Sequence, residues 1–457
     1  MSFIQSGNAI IAVASYINFT PTPFYFFTGK EMIIKKIEID GFWGNLKATT
    51  ELHSDITIFI GENGSGKTTL INLITAALTA DLIQLSHLQF NKIEINLINP
   101  YDARKKRKIT VSKEKEAEQY FSIYRYMVGQ DKYEIPVELR SVPRKIPVSS
   151  RFPHLRRDEY QKLKEVLNEL AEVSFISVLM QSKKEIFEPE SHRYSYNVVD
   201  DRLQELLEDF SKYQLRLESQ LNERSTQFQQ EAIASLLYNE EFDSSKLDLS
   251  NYDLEAQKDK LLRAFKELGI EDKSKQIERH IKKLTEAVQE MSDGKPQKHR
   301  FVVPLVYRTN EIIDLLTKSE EDKKKIIEPR QKFFDTLSNF MPQKKFHYDN
   351  RTSVLYFSID DEQKFPWVKL SSGEKQLLIQ FLEVLLQEGR TLMFIADEPE
   401  LSLHVSWQEN LLKALRKLNK NAQLIVATHS PDIVSEFDEK IIEMKEVIST
   451  SSKKSKK

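Results

Sequence analysis

The sequence contains no cysteine. That absence excludes disulfide scaffolds, cysteine-ligated zinc, iron–sulfur clusters and thiol nucleophiles together. There is also no run of about 18 apolar residues, the length needed to cross a bilayer. The nearest stretch, Ala9 to Phe27, is interrupted by Asn18, Pro21 and Pro23, has no basic residue ahead of it and offers no cleavage site, so it does not read as a signal peptide. Nor does one sign of charge dominate. With 67 Lys and Arg against 69 Asp and Glu, the net charge is -2, and any contact with nucleic acid would have to come from a local patch. What is present is 457 residues, 40% apolar and 30% charged. This is the composition of a globular chain, expected in the cytoplasm, with room for two or three units or for one domain carrying a large insertion.

Residues 1–31 read as an appendage, and Met32 as a second candidate for the start, because an alternating strand, Ile33 to Ile39, begins directly after it. Up to about residue 100 the pattern is strand, turn, strand (Asp55 to Ile60), Gly-rich loop, helix (Thr68 to about Ile83) and strand (Lys92 to Leu97). Residues 101–157 read as a basic insert: Arg104 to Arg157 holds 15 basic and 6 acidic residues, and prolines 136, 143, 147 and 153 exclude a long helix from its second half. A short strand, Val173 to Leu179, precedes Gln181.

Residues 191–341 read as a helical insertion. Leu203, Leu207, Phe210, Tyr213, Leu217 and Leu221 make one apolar stripe, and Ile277, Ile281, Leu284, Val288 and Met291 make another. Pro296, Pro304 and Pro329 and the polar stretch 239–252 are expected to break this region into a compact subdomain rather than a long coiled coil. The α/β pattern returns in residues 342–446: a hairpin (Lys345 to Tyr348, Val354 to Ile359), a helix (Glu374 to Leu386), a strand (Leu392 to Ala396), a helix (Trp407 to Leu418) and a strand (Gln423 to Ala427). The predicted fold class is therefore α/β, one sheet assembled from the first and last thirds with a helical arm between them. Residues 447–457 are expected to form a disordered basic tail.

Four motifs carry chemistry. Gly61 to Thr68, GENGSGKT, follows the strand ITIFI and opens the apolar helix TLINLITAAL. Its glycines let consecutive N–H groups turn toward a phosphate at a helix N-terminus, Lys67 reaches the outer phosphates of ATP, and the Thr68 hydroxyl can ligate Mg²⁺. Asn63, Gly64, Ser65, Gly66 and Thr69 complete the candidate nucleotide-binding set. Leu392 to Glu400, LMFIADEPE, is an apolar strand ending in carboxylates, with Asp397 placed to hold magnesium through water and Glu398 to polarise the attacking water. Leu370 to Gln376, LSSGEKQ, opens a helix, and is either a second phosphate-binding turn or a Ser-Gly helix cap. In Ile425 to Pro431, IVATHSP, a strand delivers His429 to a sheet edge, either as a functional group or as an ordinary surface histidine.

In order and spacing these motifs resemble the ATP-binding-cassette class of ATPases, with a Walker A loop, a signature loop, a Walker B strand and a switch histidine. EPELSLH, Glu398 to His404, resembles the variant found in the overcoming-lysogenization-defect-like and RecF-like ATPases, and the resemblance covers residues 32 to about 100 and 345 to 445. Two positions depart from that pattern: Val405 stands where the family has proline, and Ser372 where transporters have glycine. The resemblance implies an ABC-type P-loop ATPase lobe that assembles head to tail with itself. Ser371 and Gly373 would then contact the γ-phosphate of a partner's ATP, with Glu398 as base and His429 as γ-phosphate sensor. A loop glutamine beside the metal and the γ-phosphate is also expected, for which Gln181 is the candidate, the alternative being a surface glutamine. Trp43, in GFWGNL, lies either against the adenine or in ordinary packing.

The size, the helical insertion and the roughly 30 residues after the last predicted strand look most like the ATPase subunits of bacterial anti-phage systems of the PARIS and Septu kinds. That likeness implies a sensor or regulator answering to a phage protein trigger and controlling a separate effector, a Toprim or HNH nuclease. The alternative is a RecF-like ATPase of DNA repair or replication, contacting DNA through residues 104–157. A transporter subunit fits least, and a zinc-hook repair ATPase is excluded by the missing cysteines and the short arm.

Overall fold

The computed structural model describes residues 31–115, 121–138, 155–177, 198–235, 258–269, 274–292, 302–349, 351–359 and 363–450. Gln181, Pro296, residues 1–30 and the polar stretch 239–252 lie outside them.

Two sheets sandwich one helix. The first is antiparallel and seven-stranded, in the order β15-β2-β1-β4-β5-β6-β7, built from β1 (Ile33–Phe42), β2 (Leu46–Glu51), β4 (Lys92–Ile98), β5 (Lys106–Lys115), β6 (Phe121–Val128), β7 (Asp131–Glu138) and β15 (Ile448–Thr450). The second is parallel and five-stranded, in the order β14-β3-β13-β12-β8, built from β3 (Ile56–Ile60), β8 (Glu172–Ser177), β12 (Leu392–Asp397), β13 (Ala422–Ala427) and β14 (Ile441–Glu443). Between them runs α1 (Lys67–Thr79). Its Leu70, Ile71, Leu73 and Ile74 are wholly buried against Ile37 and Ile39 of β1 on one side and Met393, Ile395 and Ile425 of the parallel sheet on the other.

Strand alternation explains this layering. In β12, Met393 and Ile395 face α1, while Leu392, Phe394 and Ala396 face the opposite layer, so the strand is apolar throughout, as a sheet covered on both faces requires. That opposite layer contains α8 (Ser372–Leu385) and α9 (Val405–Leu418). The fully buried Gln423 ties the two sheets together. Its side chain accepts from the Ile34 N–H at 2.9 Å and donates to the carbonyls of Ile34 at 2.8 Å and His53 at 2.7 Å.

The helical insertion is built on two long antiparallel helices, α4 (Val198–Ala234) and α7 (Val302–Phe340), each about 55–60 Å long at 1.5 Å per residue. Phe210 packs on Phe333 at a ring separation of 5.5 Å, Arg330 donates to Gln214 at 3.0 Å, and Arg224 pairs with Asp322 at 3.1 Å, which fixes the antiparallel register. Farther out, α5 (Lys258–Glu267) and α6 (Ser274–Ser292) pack with this pair around Phe228, Leu261, Ile281 and Leu316. The expectation that Pro304 and Pro329 break the helix is corrected. Pro304 is the third residue of α7, where no intrahelical N–H bond is needed, and Pro329 is held by packing on α4 to both sides of it.

Four other expectations are revised. The basic segment is no separate insert: β5, β6 and β7 extend the antiparallel sheet, and α3 (Leu155–Leu170) covers it with Leu163 and Leu167. The first predicted helix stops at Thr79, because Ala80 turns left-handed (φ 51°) and Asp81 caps a new short helix, α2 (Leu82–His87), by accepting from the Gln84 N–H. The start of the expected tail is ordered, since Ile448–Thr450 pair with β2; residues 451–457 lie outside the described residues. The predicted hairpin gains a third strand, so that β9 (Lys345–Asp349), β10 (Val354–Ile359) and β11 (Gln363–Pro366) form one small sheet.

Candidate nucleotide site

In the parallel sheet, β3, β13 and β12 are neighbours, with Phe59 opposite Ala427 and Ala427 opposite Asp397. Their carboxyl ends therefore deliver residues 61–68, 428–430 and 397–400 to one edge, the position where open α/β sheets bind ligands. At the first of these ends the chain turns through Gly61 to Gly66 into α1. Gly66 has φ +98°, and a Cβ there would lie 3.0 Å from the rings of Phe42 and Trp43, so only glycine lets the loop close beneath them. Asn63 and Gly64 are exposed at the loop, and the first turn of α1 presents Thr68 and Thr69. Trp43, 42% exposed at the end of β1, donates from its indole N–H to Thr69 Oγ1 at 3.3 Å.

Lys67 is buried, and its ammonium donates to the carbonyls of Gly61 at 2.9 Å and Glu62 at 3.4 Å. It also meets His429 Nε2 at 2.6 Å. Thr68 donates from Oγ1 to Asp397 Oδ1 at 3.2 Å. Glu398 occupies the left-handed region (φ 50°), a strained conformation for a non-glycine residue of the kind that collects at functional sites. From there one of its carboxylate oxygens accepts the His429 N–H at 3.3 Å, while the other lies 3.4 Å from His429 Nε2.

These contacts set the protonation states. Burial lowers the Lys67 pKa, and burial followed by the adjacent Lys67 cation lowers that of His429, which leaves the imidazole neutral with Nε2 free to accept from lysine. Burial raises the Asp397 carboxyl. Burial and then the neighbouring Glu400 carboxylate push Glu398 up to about 7.

The Leu370–Gln376 loop stands apart from this cluster. Ser371 caps α8 in a reciprocal box with Glu374: its backbone N–H donates to the Glu374 carboxylate at 2.9 Å, and its hydroxyl accepts from the Glu374 N–H at 3.4 Å. Gly373 is buried, and any side chain there would collide with the Ser402 carbonyl. None of the described contacts of Ser371 or Gly373 reaches the P-loop.

Residues 32–434 match the family described as AAA ATPase domain. The chain belongs to this family. The match places the chain in the ATPase class. A local stretch is similar to the "Retron Ec83 probable ATPase" of Escherichia coli, 35% identical over 83 residues, which is 16% of this chain and 15% of that relative. Among solved structures, the Smc head domain with an extended coiled coil bound to the C-terminal domain of ScpA, from Pyrococcus furiosus, is similar at 13% identity. It covers 90% of this chain and 93% of its own, with a TM-score of 0.44. The Smc head domain with a coiled coil and joint from Pyrococcus yayanosii has 13% identity, 90% and 95% coverage and a TM-score of 0.40. The fold assignment rests on the strand order and the P-loop geometry themselves.

The AAA ATPase site fits magnesium as far as its own donors go. A hydroxyl and a carboxylate oxygen, Thr68 and Asp397, lie 3.2 Å apart at the mouth of the P-loop, both hard oxygen donors. Among the described residues no group of three or more His, Asp or Glu forms a metal cage. One residue that sequence reasoning missed is Glu400, at 5% exposure the most enclosed acid of the EPE run after β12. The string itself carried the signal, a second glutamate two positions after the first. Among the described residues no helix is long and apolar enough to cross a membrane.

Proposed function

We propose that this AAA ATPase binds ATP with Mg²⁺ and hydrolyses it to ADP and phosphate. The observation that supports this is the convergence, at the ends of three adjacent parallel strands, of two hydrogen-bonded groups, Lys67 with His429 and Glu398, and Thr68 with Asp397. Lys67 would leave its carbonyl partners for the β/γ-phosphates, and Thr68 and Asp397 would hold the metal. Bound there, magnesium supplies charge neutralisation at the phosphate oxygens. Glu398 accepts a proton from the attacking water as the water oxygen bonds to the γ-phosphorus. The bond from that phosphorus to the bridging oxygen then breaks, and ADP leaves. Purified protein should hydrolyse ATP, and Lys67→Ala should remove both binding and turnover; undiminished affinity for an ATP analogue in that variant would refute the assignment.

The wider role follows from the resemblance: a sensor or regulatory subunit of a bacterial anti-phage system, controlling a separate nuclease effector through ATP-dependent head-to-tail assembly. The local likeness to a protein named as a retron ATPase favours this over a transporter subunit. A phage plating assay on cells carrying the gene and its neighbouring open reading frames should show protection that Lys67→Ala abolishes. Equal plating with and without the genes would count against it.

A DNA contact is the second reading, favoured by five consecutive exposed basic residues, Arg104 to Lys108. Of these, Lys108 is paired with Glu94 at 2.8 Å, and beyond them Arg125 of β6 is paired with Glu134 at 2.9 Å. Residues 139–154 of the segment lie outside the described residues. Duplex binding that weakens steeply with salt and is lost on neutralising Arg104–Lys108 would establish this reading.

A further inference from the structure

Glu400 has more donors on one oxygen than any other carboxylate near the P-loop. Its Oε1 accepts from the Thr428 hydroxyl and from the backbone N–H groups of His429 and Ser430, both at 3.3 Å. The turn that carries Glu400 is itself fixed, because Gln380 of α8 donates to the Pro399 carbonyl at 2.9 Å and the Leu403 N–H donates to the Glu400 carbonyl at 2.8 Å. On the other side, the Thr428 N–H is bonded to the Phe59 carbonyl of β3 at 3.1 Å. A buried carboxylate is held where donors replace its water; those on Oε1 all belong to the three residues 428–430, while Oε2 is buried without a hydrogen-bond partner. Gln408 of α9 adds a parallel tie, accepting from the Ser430 hydroxyl at 2.6 Å and donating to the Leu403 carbonyl at 3.1 Å.

We propose that Glu400 is a positioning residue: its carboxylate clamps the end of β13 to the turn after β12 and so sets His429 against Lys67 at the mouth of the P-loop. The inference rests on reading this edge as the ATPase site. Glu400 is not itself the base, since at 5% exposure no attacking water reaches it, while Glu398 on the same turn is partly exposed and touches His429 directly. What the clamp supplies is an acceptor at a fixed place. Glutamine preserves such an acceptor and alanine removes it.

The test has two readouts. The first is amide exchange of His429 and Ser430, whose N–H groups reach Glu400, in the nucleotide-free protein, which does not depend on whether the chain hydrolyses ATP. Glu400→Ala should speed that exchange about tenfold or more, while Glu400→Gln should stay near wild type. The second is turnover. Glu400→Ala should lower kcat by about 10- to 100-fold with analogue affinity held within about threefold, and Glu400→Gln should recover most of the loss. Measured well above pH 7, where Glu398 is deprotonated with or without the Glu400 charge beside it, the double variant Glu400→Ala/His429→Ala should be no slower than His429→Ala alone. Unchanged exchange in Glu400→Ala, equal losses in the alanine and glutamine variants, or multiplying losses in the double variant would each overturn the proposal. If Glu400→Ala does not fold, Thr428→Val removes one donor from the other side of the clamp and is judged by the same exchange and double-variant criteria. A wild type that shows protected His429 and Ser430 amides but no turnover would instead refute the ATPase reading and leave the clamp standing.

Discussion

Lys67 and His429 are 362 positions apart in the chain and 2.6 Å apart in space, and the proposed chemistry depends on such pairs. Glu398 is the residue whose titration should be visible in kinetics. A general base works only when deprotonated, and burial with the Glu400 carboxylate beside it pushes this carboxyl up to about 7. The value of kcat/KM should therefore be high above that pH and fall as pH is lowered through it, a limb that Glu398→Gln should abolish along with most of the turnover while ATP is still bound. A profile flat from pH 6 to pH 8, or near-wild-type turnover in Glu398→Gln, would remove Glu398 from the role. The strand, turn and helix end that carry the P-loop residues were legible because that structure is local. Glu398 was named from its place after the strand, but the enclosure of Glu400 was not legible in the string EPE, because only the fold decides which neighbouring acid is covered.

At the scale of elements, both roots of the helical arm are fastened to the helix that Ser371 caps. Lys344, just past α7, pairs with Glu374 inside the capping box, Asp200 of α4 accepts from Lys375 at 2.8 Å, and Arg202 of α4 pairs with Glu383. Glu383 also accepts from Ser174 of β8 at 3.0 Å, so the arm, the capped helix and the parallel sheet meet at one carboxylate. The Lys344–Glu374 pair is mostly enclosed, with side-chain exposures of 18% and 15%, and it holds the acid that caps the loop. Lys344→Ala should cost about 2 kcal/mol in urea unfolding. Arg216→Ala, which removes an exposed pair with Glu388, should cost about 0.5 kcal/mol or less. Equal effects would mean that the enclosed pair does not support the capped loop. The apolar stripes of the arm were legible from spacing, but the continuity of α7 through Pro329 was not, because what holds that turn together is the packing of Phe210 on Phe333, a contact across more than a hundred residues.

At the scale of the molecule, the P-loop and the capped loop make their described contacts separately, Lys67 and Thr68 with the ends of β12 and β13, Ser371 with Glu374, and Gly373 against Ser402. Under the head-to-tail reading proposed above, each ATP is completed by the Ser371 loop of a second copy, and one chain contributes two half-sites. Turnover should then rise cooperatively with protein concentration. Mixing Lys67→Ala protein with Ser371→Arg protein, each inactive alone, should restore part of the ATPase activity, since a mixed pair holds one intact composite site. No recovery in mixtures shown to co-assemble would count against sharing, as would full activity of a demonstrated monomer.

The sequence alone determined what depends on neighbours along the chain: the Gly-rich turn between an apolar strand and helix, the carboxylates at the end of a strand apolar on both faces, the α/β class, and the two apolar stripes of the arm. It excluded thiol and cysteine-metal chemistry by composition. Only the tertiary structure decided that β13 lies between the P-loop strand and the carboxylate strand, and that β5, β6 and β7 extend the antiparallel sheet. It also placed Gln423 across the two sheets and closed Glu400 over residues 428–430. These last features join positions tens to hundreds of residues apart. Burial and hydrogen bonding between such positions act through space and leave no periodic trace along the chain.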